Sequence, residues 1–171
     1  MSQLKKLKAA TTLSDVAQLL EIMPGMLSFL LYKKPKVDLY TKFEIPKKHG
    51  GTREIWAPAK DLKLVQYRLA NLLQNCIDEI NAMRGHVEDG KRYGVAHGFK
   101  RKHTIMTNAR AHVTRRYVFN VDLHDFFGTI NFGRVRGFFL KDKNFALQNK
   151  VATVIAQIAC HDNKLPQGSP C

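Results

Sequence analysis

The sequence predicts an α+β fold in which one β-hairpin is combined with several amphipathic helices. Residues 40–45 and 52–57 alternate between apolar and polar side chains, and the turn-forming sequence Pro-Lys-Lys-His-Gly-Gly lies between them. Over residues 60–80, apolar side chains recur at steps of three and four, which indicates a helix. With 171 residues, of which 44% are apolar, the chain suits one globular domain of ordinary size.

The residues before the hairpin, positions 1–39, predict a short helical lead-in. Thr12 or Ser14 can cap a first helix, which carries an apolar stripe. A Pro-Gly pair interrupts that helix, and residues 26–32 predict a second one. We interpret the lead-in as a packing appendage of the domain.

The residues after the long helix predict further helices and one more strand. Residues 84–102 contain four glycines, which is typical of a loop. We expect helices at 103–111, 132–140 and 145–158. We also expect a strand at 116–122, because this mostly apolar run has the length of a strand and ends at the carboxylate of Asp122.

Basic residues outnumber acidic ones by two to one. The chain has 28 Lys and Arg against 14 Asp and Glu, a formal net charge of +14 and a pI near 9.9. Residues 40–116 hold 16 basic and 7 acidic residues, a net charge of +9. A hairpin and loops of this charge are suited to follow a phosphate backbone. The composition therefore favours a polyanionic partner, nucleic acid before an anionic membrane surface.

No part of the sequence predicts a membrane span or a signal peptide. The most apolar segment, residues 19–32, is too short to cross a bilayer and is broken by Glu21, Pro24 and Gly25. The three cysteines are scattered and show no Cys-x-x-Cys spacing, which suits a reducing cytoplasm.

The most informative stretch is residues 119–127, Phe-Asn-Val-Asp-Leu-His-Asp-Phe-Phe. A strand that ends at Asp122 would place a fixed carboxylate at the rim of a sheet, and Mg²⁺ prefers such oxygen ligands. Alternatively, an aspartate here caps the next helix, with Phe126 and Phe127 in the core. The pattern alone leaves both interpretations open.

Four motifs in order resemble reverse transcriptases. Residues 119–127 resemble the first catalytic-aspartate motif of that family, and residues 165–168 resemble its later Leu-Pro-Gln-Gly motif. Residues 53–58, together with Leu62, Lys63 and Gln66, are similar to its fingers motifs. His97-Gly-Phe99, followed by Asn108-Ala-Arg-Ala-His112, is similar to a signature of bacterial retron enzymes. The matches cover about residues 40–170, and group II intron and diversity-generating relatives share the fingers and aspartate motifs.

The resemblance implies an RNA-directed DNA polymerase that uses two Mg²⁺ ions. Asp122 would be a ligand of both ions, and the carbonyl oxygen of Val121 would help to hold the ion that carries the incoming triphosphate. The implied partners are a template RNA, a primer or DNA product and deoxynucleoside triphosphates, with a structured noncoding RNA as a further possibility and no membrane.

The resemblance also assigns nucleotide contacts. Phe127 matches the position whose ring excludes a ribose 2′-hydroxyl, and the alternative for it is ordinary core packing. The backbone amides of Asp125 and Phe126 would face the triphosphate, and Gln167 would lie against the sugar and base. We expect two cations of the fingers, Arg53 and Lys63, to bind the triphosphate. Lys47 or Lys48 could take the place of either.

Asn108 and His112 lie four residues apart, so that on a helix they would share one face. One interpretation is contact with a structured RNA or support of the active site. The other is a hydrogen-bonded pair that holds the preceding loop. The sequence does not decide between them.

The family's right-hand architecture implies a division of this chain. We expect a helical lead-in at 1–39, fingers at 40–116 and an incomplete palm at 117–171, which stops before the Tyr-x-Asp-Asp hairpin of the family. We therefore expect this chain to be inactive alone and to belong to a longer polymerase. Two alternatives are a non-catalytic RNA-binding module and a remodelled relative with a defence or structural role.

Overall fold

A computed structural model describes residues 2–47, 50–85 and 97–170. These residues form eight α-helices and one two-stranded antiparallel sheet. The helices are α1 Gln3–Ala9, α2 Leu13–Leu19, α3 Pro24–Tyr32, α4 Lys60–Met83, α5 Ile105–Arg110, α6 Phe126–Thr129, α7 Phe132–Lys141 and α8 Asn149–Ala159. The strands are β1 Tyr40–Pro46 and β2 Thr52–Pro58, and a 3₁₀ turn, Lys36–Asp38, precedes β1. The α+β class is therefore confirmed.

The core forms where the long helix α4 meets α8 and the N-terminal helices. From α4 come Val65, Leu69, Leu72 and Cys76, which occupy the face predicted from the three- and four-residue spacing. Helix α8 is buried over most of its length. Burial raises the pKa of the Cys76 thiol to about 11, which keeps it neutral, as expected of a small core residue.

The N-terminal helices pack onto this core rather than standing apart. Helix α1 contacts α4, and the carboxylate of Glu79 accepts hydrogen bonds from the first backbone amides of α1, those of Gln3 and Leu4. Thr12 caps α2 in a capping box with Asp15, as one of the two predicted caps. As predicted, two helices are separated before residue 26, but α2 already ends at Leu19 and Pro24 is the first residue of α3, where an amide hydrogen is not needed.

The hairpin lies at the predicted position, and its two strands pair in register along their whole length. Tyr40 pairs with Pro58, and the pairing continues to Pro46 opposite Thr52. Gly50 and Gly51 both have positive φ values, of 93° and 80°, which the turn needs and which glycine adopts freely.

The predicted strand at 116–122 is wrong. These residues have no regular structure, and the side chains of Tyr117, Phe119 and Val121 are 81%, 90% and 71% exposed. A strand is held by backbone hydrogen bonds to a neighbouring strand. Within the described ranges only the hairpin forms a sheet, so that nothing pairs with this segment. Its apolar composition therefore did not lead to burial.

The helix predicted at 145–158 begins later, at Asn149. The carboxylate of Asp142 accepts hydrogen bonds from the backbone amides of Asn144 and Phe145, and Ala146 has a φ of 43°. This aspartate-centred turn competes with helix formation over 142–146. Across the described residues, no single helix is long and apolar enough to span a membrane, although α2 and α3, which meet at 117°, pass that criterion when taken together.

Candidate functional site

One face of the hairpin is occupied by its own side chains. Lys42 and Trp56 are cross-strand partners, and the ammonium of Lys42 lies 2.6 Å from Glu54 and 5.5 Å from the centre of the Trp56 ring. The indole N–H of Trp56 donates to Glu54 at 2.6 Å. The hydrogen bond between Lys42 and Glu54 raises the pKa of Lys42 and lowers that of Glu54. Lys42 is thus engaged within the chain rather than directed at a ligand.

The other face of the hairpin presents Arg53. It pairs across the strands with Ile45 and is exposed, as is Lys47 just beyond the end of β1. The backbone amide of Lys47 donates to the carbonyl of Gly51 at 2.9 Å, which closes the turn. Lys48 lies outside the described residues. Arg53 on β2 and Lys47 at the start of the turn are therefore both exposed to solvent.

Lys63, the second expected clamp residue, lies in the first turn of α4. It is exposed, and its ammonium lies 5.9 Å from the centre of the Tyr67 ring, one turn farther along the helix. The helix starts immediately after β2, so the chain places Lys63 and Arg53 on consecutive elements.

The Leu-Pro-Gln-Gly loop packs against the hairpin. The backbone amide of Trp56 donates to the carbonyl of Gln167 at 2.8 Å, which covers the edge of β2 that does not face β1. Gly168 has a φ of 104°, and a Cβ atom there would lie 2.7 Å from the side chain of Ile55. Only glycine permits this backbone conformation and this close approach. The loop that carries Gln167 is thus joined to the strand that carries Arg53.

The start of the same loop is bound to the segment between α6 and α7. The backbone amide of Leu165 donates to the carbonyl of Ile130 at 3.0 Å, and that of Phe132 donates to the carbonyl of Asn163 at 3.2 Å. Gln167 is therefore linked through backbone hydrogen bonds to the hairpin on one side and to the residues after α6 on the other.

Asp125, Phe126 and Phe127 lie at the start of the short helix α6. Asp125 has a left-handed backbone with a φ of 47°, and its carboxylate lies over Gly128, where a Cβ would require the Asp125 side chain to move. The rings of Phe126 and Phe127 pack edge to face, 5.5 Å apart, and Phe99 packs in the same way on Phe127 at 6.0 Å. Phe127 is half-buried in this cluster, whereas Phe126 is exposed.

Asp122 and Val121 lie in the irregular segment before α6 and are exposed. The part of the chain that the structure describes contains no group of three or more His, Cys, Asp or Glu side chains that could hold a metal ion. The residues present therefore do not form a complete Mg²⁺ site, and Asp122 would supply only one of the carboxylates that such a site needs.

Asn108 and His112 do not share a helical face. Helix α5 ends at Arg110, and the backbone amide of His112 donates to the carbonyl of Ala109 in the turn that follows. Both side chains are exposed. The condition for a shared face, a helix over both residues, is not met because α5 ends at Arg110, and both interpretations of the pair stay predictions.

The loop before α5 is instead held largely by side chains of α4 and by Arg101, none of which the sequence motifs singled out. Arg101 donates to the side chains of Asn71 and Asn75 on α4 at 2.9 and 2.6 Å. The side chain of Gln74 donates to the carbonyl of Phe99 at 3.1 Å, and His97 bonds Thr107 at 3.0 Å. The amide side chains of Asn71, Gln74 and Asn75 on α4 are the sequence feature that could have indicated this contact.

Comparison with known proteins shows similarity to retron reverse transcriptases. The chain is 36% identical over 128 residues to the retron Mx65 reverse transcriptase of Myxococcus xanthus, which covers 74% of this chain and 27% of that protein. It is 26% identical over 167 residues to the retron Ec86 reverse transcriptase of Escherichia coli, which covers 96% and 46%. It is 30% identical over 146 residues to the retron Mx162 reverse transcriptase of Myxococcus xanthus, which covers 77% of this chain and 27% of that protein. No protein-family model matches the chain.

These similarities define the chain as reverse transcriptase-like over nearly its whole length. More particularly, because the relatives named above are all retron enzymes, it is a retron reverse transcriptase-like polypeptide. The chain spans between about a quarter and a half of the length of these relatives.

Proposed function

We propose that this chain supplies the fingers and the first part of the palm of an RNA-directed DNA polymerase. The similarity to retron reverse transcriptases along 96% of the chain carries the proposal. The packing of the Leu-Pro-Gln-Gly loop on the hairpin supports it, because two segments with expected nucleotide contacts, Arg53 and Gln167, are joined directly. The proposed division is fingers at 40–116 and partial palm at 117–171.

In this proposal each site residue has one task. Arg53 and Lys63 bind the triphosphate, since a guanidinium can form paired hydrogen bonds with phosphate oxygens and an ammonium adds a point charge. Gln167 contacts the sugar and base, and the ring of Phe127 disfavours a 2′-hydroxyl. The amides of Asp125 and Phe126 face the triphosphate.

The remaining proposed contacts are to metal and RNA. Asp122 and the carbonyl of Val121 provide oxygen ligands for Mg²⁺. Further carboxylates from a longer protein complete this site. Lys47, Lys48, Asn108 and His112 contact RNA. The net charge of +9 over residues 40–116 favours such contacts, because each neutralised phosphate releases counterions.

The test is primer extension on an RNA template by the product of the complete reading frame that encodes this chain. We expect Asp122→Ala to abolish extension while RNA binding, measured by filter retention, stays within a factor of about two of the unaltered protein, because the carboxylate acts on the reaction and not on the template. Asp38→Ala is the matched control, since it removes an exposed carboxylate outside the site.

A second candidate is an RNA-binding module without turnover. The exposed position of Asp122 and the incomplete metal site favour this candidate. It predicts RNA binding with no extension before any substitution is made. Extension that persists in Asp122→Ala would contradict the assignment of Asp122.

A further inference from the structure

A buried glutamine lies where the hairpin, α8 and the Leu-Pro-Gln-Gly loop meet. Gln66 is on the apolar face of α4 and is fully buried, between Leu62 and Leu69 along the helix. A polar side chain in such a position is stable only when its hydrogen bonds are made. Its partners therefore show what the residue holds together.

Gln66 forms three hydrogen bonds to three different segments. Its amide nitrogen donates to the hydroxyl of Tyr40 on β1 at 2.8 Å and to the carbonyl of Ile158 on α8 at 2.9 Å. Its amide oxygen accepts a hydrogen bond from the hydroxyl of Ser169 at 2.8 Å. Both donor hydrogens are used, so the orientation of the amide is fixed and its oxygen points at the loop.

The bond to Ser169 complements the contact of the loop with β2. Two residues earlier, the carbonyl of Gln167 accepts from the amide of Trp56, and between them Gly168 packs on Ile55. The loop is thus held at 167 by the hairpin and at 169 by α4. Two fixed points two residues apart leave the intervening backbone little freedom.

We infer that Gln66 is a positioning residue: through Ser169 it fixes the loop so that Gln167 lies against β2, the strand that carries Arg53. The use of that arrangement for nucleotide binding rests on the proposed function. Gln66 does not touch the nucleotide in this scheme and acts only through Ser169 and the loop.

The decisive measurement is amide hydrogen exchange at Trp56 in this 171-residue chain. Ser169→Ala removes the link to the loop but leaves the bonds of Gln66 to Tyr40 and Ile158, so the core stays folded. We expect the Trp56 amide to exchange about tenfold faster, the factor that corresponds to one hydrogen bond of ordinary net strength. The amide of Lys47, which bonds Gly51 at the far end of the hairpin, and the amides of α8 should not change.

Three variants separate positioning from general stability. Ser169→Thr keeps the hydroxyl and should restore slow exchange at Trp56, whereas Ser14→Ala, at an exposed position of α2, should have no effect. Gln66→Met keeps the volume and removes all the bonds, so it should accelerate exchange at Trp56 as well. Unchanged exchange at Trp56 in Ser169→Ala, or equal acceleration throughout α8, would overturn the inference.

A kinetic measurement on the complete reading frame tests the link to the nucleotide. Ser169→Ala should raise the KM for deoxynucleotide by about tenfold with a smaller change in kcat. A KM that stays constant while Trp56 exchange accelerates would overturn the role in nucleotide positioning. If the unaltered protein shows no extension at all, the proposed function fails, and the exchange result still decides whether Gln66 holds the loop.

Discussion

Two regions that carry candidate site residues differ in how their positions are determined. The loop at 165–170 is fixed to β2, to α4 and to the segment before α7 by hydrogen bonds of 2.8 to 3.0 Å. The segment at 116–125 has no regular structure, and its apolar side chains are exposed. The first region holds Gln167, and the second holds Asp122.

The difference lies in the physical basis of each position. Contacts within this chain determine where Gln167 lies, because its neighbours are buried or hydrogen-bonded. Contacts of that kind do not hold Asp122: the side chain of Phe119, three residues earlier, is 90% exposed. A contiguous exposed apolar stretch is typical of a surface that meets another protein surface or a ligand. The nucleotide half of the proposed site is thus better determined than its metal half.

The largest expected effect contrasts the core with the exposed segment. Ile155→Ala truncates a side chain of α8 that is buried in the core, and we expect it to lower the free energy of unfolding by about 2–5 kcal/mol. Phe119→Ala removes a larger side chain but should change it by no more than about 0.5 kcal/mol, because the ring is already in water. Urea unfolding followed by circular dichroism measures both.

A loss of more than about 2 kcal/mol in Phe119→Ala would erase the contrast. Such a loss would mean that the segment packs in solution and that its apolar side chains are buried, as the predicted strand implies. Equal, small effects of both substitutions would instead mean that α8 is not part of a cooperative core.

The sequence predicted the hairpin and the long helix well because both depend on local patterns. Alternation set β1 and β2, and the spacing of apolar residues set the buried face of α4. The strand at 116–122 failed because a strand needs a partner, which no local pattern can reveal. The predicted start of α8 at residue 145 was wrong because the side chain of Asp142 accepts a hydrogen bond from the backbone where a helical turn was expected.

The motifs proposed which residues belong to the candidate site, but they did not predict how those residues are connected. The motifs identified Gln167 and Arg53, yet they did not predict that the loop lies on β2. Gln66 was part of a motif without a role, although one polar residue on the apolar face of α4 was a visible signal. Long-range contacts such as that of Gln66 with Ser169, 103 residues apart, become evident only in three dimensions.

A smaller effect tests the contact between the loop and the hairpin. Gly168→Ala introduces a Cβ that meets Ile55 at 2.7 Å, at a φ of 104° that alanine rarely adopts. We expect a loss of about 1–3 kcal/mol of unfolding free energy and a change in the emission of Trp56, the chain's single tryptophan. Thermal unfolding and fluorescence measure these two effects.

Gly25→Ala is the control for that substitution. Gly25 lies in the first turn of α3, and nothing lies within 4 Å of a Cβ at this position. Alanine should leave the stability unchanged or raise it by up to about 1 kcal/mol, since it favours a helix. A Gly168→Ala variant as stable as Gly25→Ala would show that the loop can leave β2 without cost.

The smallest effect concerns protonation at the same junction. His161 is buried against Tyr40 and Trp56, with ring centres 4.3 and 4.7 Å apart. Burial lowers the pKa of His161, and the nearby Lys36 and Lys164 lower it further, whereas Asp162 opposes them. The imidazole of His161 therefore binds a proton at a higher pH in the unfolded chain than in the folded chain.

It follows that the free energy of unfolding should fall as the pH drops below the ordinary histidine value near 6.5. His161→Phe keeps a ring at this position but removes the titration, so its melting temperature should depend less on pH between about pH 8 and pH 5. Phe119→Ala, in the exposed segment, leaves every titratable group in place and should keep the full pH dependence of the unaltered chain. Equal pH dependence in His161→Phe and Phe119→Ala would show that the imidazole at the hairpin junction does not cause it, and the contrast between the two regions would be lost.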